Sequence, residues 1–74
     1  MTKKRKSNIE RAMRLISQAK DILETARDEE QESYENLPDQ GTERADRILE
    51  HADNLEGVVD LLDEVMTTLE CVVK

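Results

Sequence analysis

Apolar side chains recur at alternating steps of three and four residues from Thr42 to Val73, and this recurrence predicts one long amphipathic helix. Ala45, Ala52, Val59, Met66 and Val73 are spaced by seven, and Ile48, Leu55, Leu62 and Leu69 form a second series three residues after the first. Such a heptad seam is what a helix presents to a packed partner. A second stripe runs upstream through Ile9, Ala12, Ile16, Ala19, Leu23 and Ala26, setting large aliphatics beside alanines that would let a partner helix come close. Ser7 with Glu10 three residues on makes a capping box, so the first helix is expected over 8–36, after a flexible basic arm at 1–6. Pro38 stops it, because proline disfavours the α conformation in the residue before it. The turn at 37–41 then offers a fixed φ at Pro38, a capping side chain at Asp39 and a glycine, Gly41, free to take positive φ. Thr42 caps the second helix, expected over 42–73.

So short a connection makes the two helices antiparallel neighbours. Folding about residues 39–40 sets Leu23 near Leu55, Ile16 near Leu62 and Ile9 near Leu69, so loop length and apolar pattern agree on one register. The fold class is therefore all-α, a coiled-coil-like hairpin. Further apolar residues lie beside the pairing stripes: Met13, Leu15 and Ile22 on the first helix, and Val58, Leu61, Val65 and Val72 on the second. An apolar face this wide exceeds the needs of one partner helix. These seven residues are the expected oligomer interface, with two copies forming a four-helix bundle. Gly57, in mid-helix, costs about 1 kcal/mol relative to alanine, and either a slight kink or, as Ala19 and Val59 near the same level favour, a close helix crossing is expected to account for it.

Composition strengthens the case for association. A 74-residue chain buries a small share of its surface. It holds one Tyr and no Phe or Trp, so its core is aliphatic. Charged residues make up 39% of the chain and the net charge is −7, values that would fit disorder if the apolar positions were not periodic. Seven basic groups against the single acid Glu10 occupy residues 1–20, whereas the remainder carries seventeen acids against four bases. Two surfaces of opposite sign follow. One cysteine, Cys71 on the outer side of the seam, excludes an internal disulfide, and no apolar run approaches the ~20 residues of a membrane span. The basic start leads into an amphipathic helix and not into a secretory h-region, so a cytoplasmic protein is expected.

Catalytic chemistry has no vehicle in this pattern. There is no glycine-rich phosphate loop, no CxxC and no nucleophile with an evident base, and the abundant carboxylates fall on outer helix faces where their pKa values would not be driven apart. His51 lies between Glu50 and Asp53, but Ile48 stands where a Glu-x-x-His metal site needs its carboxylate, so His51 is read as a rim residue. No enzyme activity, metal or cofactor is expected. Two charged features remain. Asp28, Glu29, Glu32 and Glu35 crowd the end of the first helix, where the dipole disfavours acids, either as a solvated face partly neutralised by Arg44 and Arg47 or as a recognition surface. Arg11, Arg14 and Lys20 at the other end offer an anion site for a nucleotide or RNA, though no aromatic is interleaved for base stacking.

The run Arg27 to Pro38, R-D-E-E-Q-E-S-Y-E-N-L-P, followed by A-D-N-L-E from Ala52, resembles small acidic helical-hairpin proteins of uncharacterised function from phages and prophages of Gram-positive bacteria. The resemblance implies a protein acting in the bacterial host cytoplasm by binding a host protein. One such class inhibits bacterial defence factors, CRISPR systems among them. An anti-defence inhibitor working through Asp28, Glu29, Glu32 and Glu35 is accordingly the leading expectation. The alternatives are a structural or regulatory homo-oligomer, and sequestration of an anionic nucleotide or RNA at the basic end.

Overall fold

The computed structural model describes residues 1–39 and 41–74. Two helices, α1 (Lys3–Glu35) and α2 (Glu43–Val73), pack against each other along their length in a body of 56 × 15 × 13 Å. The expected hairpin is thus observed, with differences at its ends and in its seam.

α1 starts one turn earlier than the capping box indicates. Thr2 takes the cap, its Oγ1 accepting from the Arg5 amide at 3.2 Å, while its carbonyl accepts from Lys6. Lysine and arginine are good helix formers, so a second capping hydroxyl upstream suffices to carry the helix through Lys3 to Lys6, and Ser7 lies inside it. At the far end Asn36 caps with φ −87° and ψ −2°, its amide donating to Glu32 at 3.0 Å, and Leu37 closes a tighter turn onto Tyr34. Pro38 follows where the helix has stopped. The Asp39 carboxylate accepts from the Gly41 amide at 2.9 Å, and Thr42 Oγ1 accepts from the Ala45 amide at 3.1 Å, as its capping role requires. Gly41 does not use positive φ; that Asp39 bond turns the chain instead. Gln40, within the expected turn, lies outside the described residues.

On α2 every residue of both heptad series is buried or half-buried, and Ala45, Ala52 and Val59 are the most enclosed at 0%, 1% and 3% exposure. The seam of α1 keeps Ile9, Ile16, Leu23 and Ala26 of the expected stripe but leaves out Ala12 and Ala19. Ile9, Met13, Ile16, Lys20, Leu23, Arg27, Glu30, Tyr34 and Leu37 are covered in an unbroken alternation of four and three, with Glu24 and Ala26 half-buried beside them, whereas Ala12 and Ala19 are exposed. Met13 therefore belongs to the hairpin seam and leaves the expected oligomer set. The cause is geometric: α2 brings its smallest residues to one series, and long side chains opposite fill that space better than alanines would. Lys20, Arg27 and Tyr34 repeat by seven along α1 as Ala45, Ala52 and Val59 do along α2, and the antiparallel register puts the two series at the same levels.

Gly57 occupies the outer line of α2, and a Cβ added there would meet nothing within 4 Å. No helix crosses closely at this point. Gly57→Ala is accordingly expected to stabilise the fold by about 0.5–1 kcal/mol, read as a melting temperature higher by about 2–8 °C. An unchanged or lowered midpoint would show that the outer line is covered in solution.

Candidate interaction surfaces

Three surfaces carry the charged and apolar residues singled out above. The first is the end of α1 near the turn, where Asp28, Glu29, Glu32 and Glu35 are all exposed. Arg27 neutralises one of them, its Nη2 lying 3.2 Å from Asp28 Oδ1 and its Nε 3.3 Å from the same oxygen. Among the described residues Glu29, Glu32 and Glu35 make no ion pair, and neither Arg44 nor Arg47 reaches across to them. α1 has no basic residue in its last turn either, so these carboxylates stay uncompensated at the negative end of the helix dipole.

The second surface is the basic end. Arg11 and Arg14 are exposed on the outer face, but Lys20 is not with them. It sits in the seam with 27% of its side chain exposed, bonded to Asp63 of α2 and 3.7 Å from Glu24. The hydrogen bond to Asp63 is the main cause that holds the Lys20 ammonium above the usual lysine value of 10.5, with desolvation opposing it and the charges of Asp63, Glu24 and Asp21 adding to it. Lys20 thus joins the helices and is withdrawn from the anion set. The signal was present in the sequence: counting by seven from Met13 reaches Lys20, Arg27 and Tyr34.

The third surface is apolar. Leu15, Ile22, Val58, Leu61, Val65 and Val72, all from the expected interface, are solvent-exposed, with Leu15 at 57%, Ile22 at 69% and Leu61 at 61%. Each immediately precedes a seam residue, as do Ala12, Ala19 and Ala26. A shift of one residue turns a helix by about 100°. Both helices therefore carry a second heptad stripe at nearly a right angle to the first. Antiparallel helices are related by a two-fold normal to the plane that holds them, so equivalent stripes fall on the same flank. Thr68 lies on it with its hydroxyl already donated to the Glu64 carbonyl at 3.0 Å, and a shallow groove there is lined by Leu61, Glu64, Val65, Thr68 and Leu69. The opposite flank carries Glu10, Glu24, Glu56, Asp63 and Glu70 around the lone apolar Leu49.

His51 is 62% exposed in its side chain, with Nδ1 3.9 Å from Glu30 Oε2, which fits a rim residue. Cys71 is exposed and free. No group of three or more His, Cys, Asp and Glu side chains among the described residues is placed to hold a metal ion. Among the described residues no helix is long and apolar enough to cross a membrane. The chain matches no protein family model, no curated protein and no solved structure.

Proposed function

We propose that this protein is a non-enzymatic binding protein that dimerises into a four-helix bundle and uses the acidic end of α1 to occupy a basic surface on a protein partner. The observation that carries the partner surface is the row of uncompensated carboxylates at a helix end that disfavours them. A fold gains nothing from such a placement, and locally unfavourable choices concentrate where function demands them. Dimerisation is supported by the exposed second stripe and by a core in which, among the described residues, only Ala45, Ala52 and Val59 are buried. The likeness of Arg27 to Pro38 to phage hairpin proteins suggests the partner class, a bacterial defence factor that the protein inhibits. The nucleotide or RNA alternative loses Lys20 to the seam and keeps only Arg11 and Arg14 of its three residues.

The test compares the native chain with a variant carrying Asp28→Lys, Glu32→Lys and Glu35→Lys as baits for bacterial lysate treated with nuclease. The variant should melt no lower than the parent, since lysines at 32 and 35 suit the helix terminus by about 0.3–1 kcal/mol each, which offsets the loss of the exposed Arg27–Asp28 pair. A basic protein captured by the parent and lost by the variant is the expected result. Equal capture by both removes the acidic face from the mechanism. Capture of nucleic acid alone before nuclease treatment transfers the function to the basic end.

A further inference from the structure

We infer that the exposed apolar flank takes a second copy of this chain in antiparallel orientation, the turn of each hairpin beside the open end of the other. The inference rests on the dimerisation proposed above and fixes which helices meet and in what order. Its first support is register. When antiparallel helices pack through heptad stripes, each position of one series lies opposite a position of the other series. Two settings of α1 against α1, one heptad apart, lay both large residues over alanines: Ile22 over the partner's Ala12 with Leu15 over the partner's Ala19, or Ile22 over the partner's Ala19 with Leu15 over the partner's Ala26. Only the first also brings Arg5 beside the partner's Glu29, and both residues are exposed on this flank. For α2 against α2 the corresponding setting pairs Val65 with the partner's Leu61 and Val58 with the partner's Thr68. The first α1 setting is centred on residue 17 and the α2 setting on residue 63. Within one hairpin those two positions lie at nearly the same level, since Lys20 bonds Asp63 and Ser17 and Met66 line one depression. One symmetry axis thus serves both helices, and the Arg5–Glu29 pair selects it from the setting one heptad away.

The second support is charge. Residues 1–14 and 65–74, at the open end, carry seven basic groups and two acids, whereas residues 27–54, around the turn, carry ten acids and three bases. The hairpin is a rod 56 Å long with poles of opposite sign. Packing two rods with the turns together would also fill the apolar flank, with α1 on the partner's α2, but it sets like poles side by side. The antiparallel arrangement sets each basic pole against an acidic one, and like-charge juxtaposition is what interfaces exclude. Glu29 passes from the acidic recognition face to the dimer in this arrangement, leaving Asp28, Glu32 and Glu35 for the partner protein.

The test is a full-length variant with Arg5→Cys, Glu29→Cys and Cys71→Ser, oxidised and compared with its reduced form by sedimentation, non-reducing electrophoresis and peptide mapping. Positions 5 and 29 of one chain lie about 36 Å apart along α1, so they cannot bridge within a subunit. The expected product is a covalent dimer whose mapped disulfide joins 5 to 29. A reduced protein that sediments as a dimer but yields no such bridge overturns the antiparallel arrangement while leaving dimerisation standing. A monomer at all concentrations, in this variant and in the native chain, overturns both.

Discussion

Leu61→Asp should convert the dimer to a monomer and abolish most of the helical circular dichroism at micromolar concentration and 25 °C. Leu61 is 61% exposed on the hairpin, so a carboxylate there meets water and no hairpin contact is at stake. In the proposed dimer the same residue would be enclosed against the partner. Covering a leucine contributes about 1.5–3 kcal/mol, and a dimer holds two copies, so about 3–6 kcal/mol is lost before the cost of enclosing two charges is counted. A hairpin of this size has little to spare, since area-based stabilisation and ordering entropy nearly cancel in a chain of fewer than about 80 residues. The concentration dependence of the melting temperature, which mass action imposes on any dimer, should vanish as well. Leu49→Asp is the matched control. Leu49 is also a large exposed apolar residue, at 41%, but it lies on the acidic flank, so that variant should remain dimeric. If Leu61→Asp sediments as the parent does, the apolar flank is not the interface; if both substitutions dissociate the dimer, the effect is not specific to one flank.

Much of this architecture was legible because several signals coincide in the chain. The α2 series from Ala45 to Val73 and from Ile48 to Leu69 predicts the covered positions without error, and Pro38 with Thr42 marks the turn. α1 was read less well, for a physical reason. Its two stripes lie one residue apart, and the expected seam took Ile9, Ile16 and Leu23 from the covered one but Ala12 and Ala19 from the exposed one, because those alanines look apolar while Lys20 and Arg27 look polar. Long basic side chains can cover apolar neighbours with their methylene stems while their charged heads find carboxylates, here Asp63, Glu24 and Asp28. Hydrophobicity alone does not register that behaviour, whereas strict counting by seven does. The candidate surfaces were legible in composition but not in grouping: nothing in the order of residues separates Lys20 from Arg11 and Arg14 until the seam is seen to claim it. Gly57 was misread because a glycine in mid-helix suggests a close neighbour, and the outer line of α2 has none.

That correction of the seam leads to the second large effect, at the smallest buried residue facing the long side chains of α1. Ala52→Leu should lower the stability of the hairpin by about 1–3 kcal/mol, because added methylenes in a filled space force neighbouring side chains and backbone to shift. Ala52 is 1% exposed, and the antiparallel register sets it level with Arg27, whose side chain is 24% exposed and bonded to Asp28. A leucine there must displace the arginine stem, exposing what that stem covers. Ala12→Leu makes the same chemical change at an alanine that is open to solvent in the hairpin. If the alanines of α1 formed the seam, Ala12→Leu would overpack the hairpin as Ala52→Leu does. With Ala12 on the flank, its enlargement instead pushes against Ile22 of the partner subunit, so it should weaken association while leaving the stability of a monomeric hairpin unchanged. Both substitutions made in the Leu61→Asp background, with an osmolyte added to hold the monomer folded, separate the two effects. There Ala52→Leu should still lower the urea midpoint, and Ala12→Leu should not; equal losses from both would return the alanines to the seam.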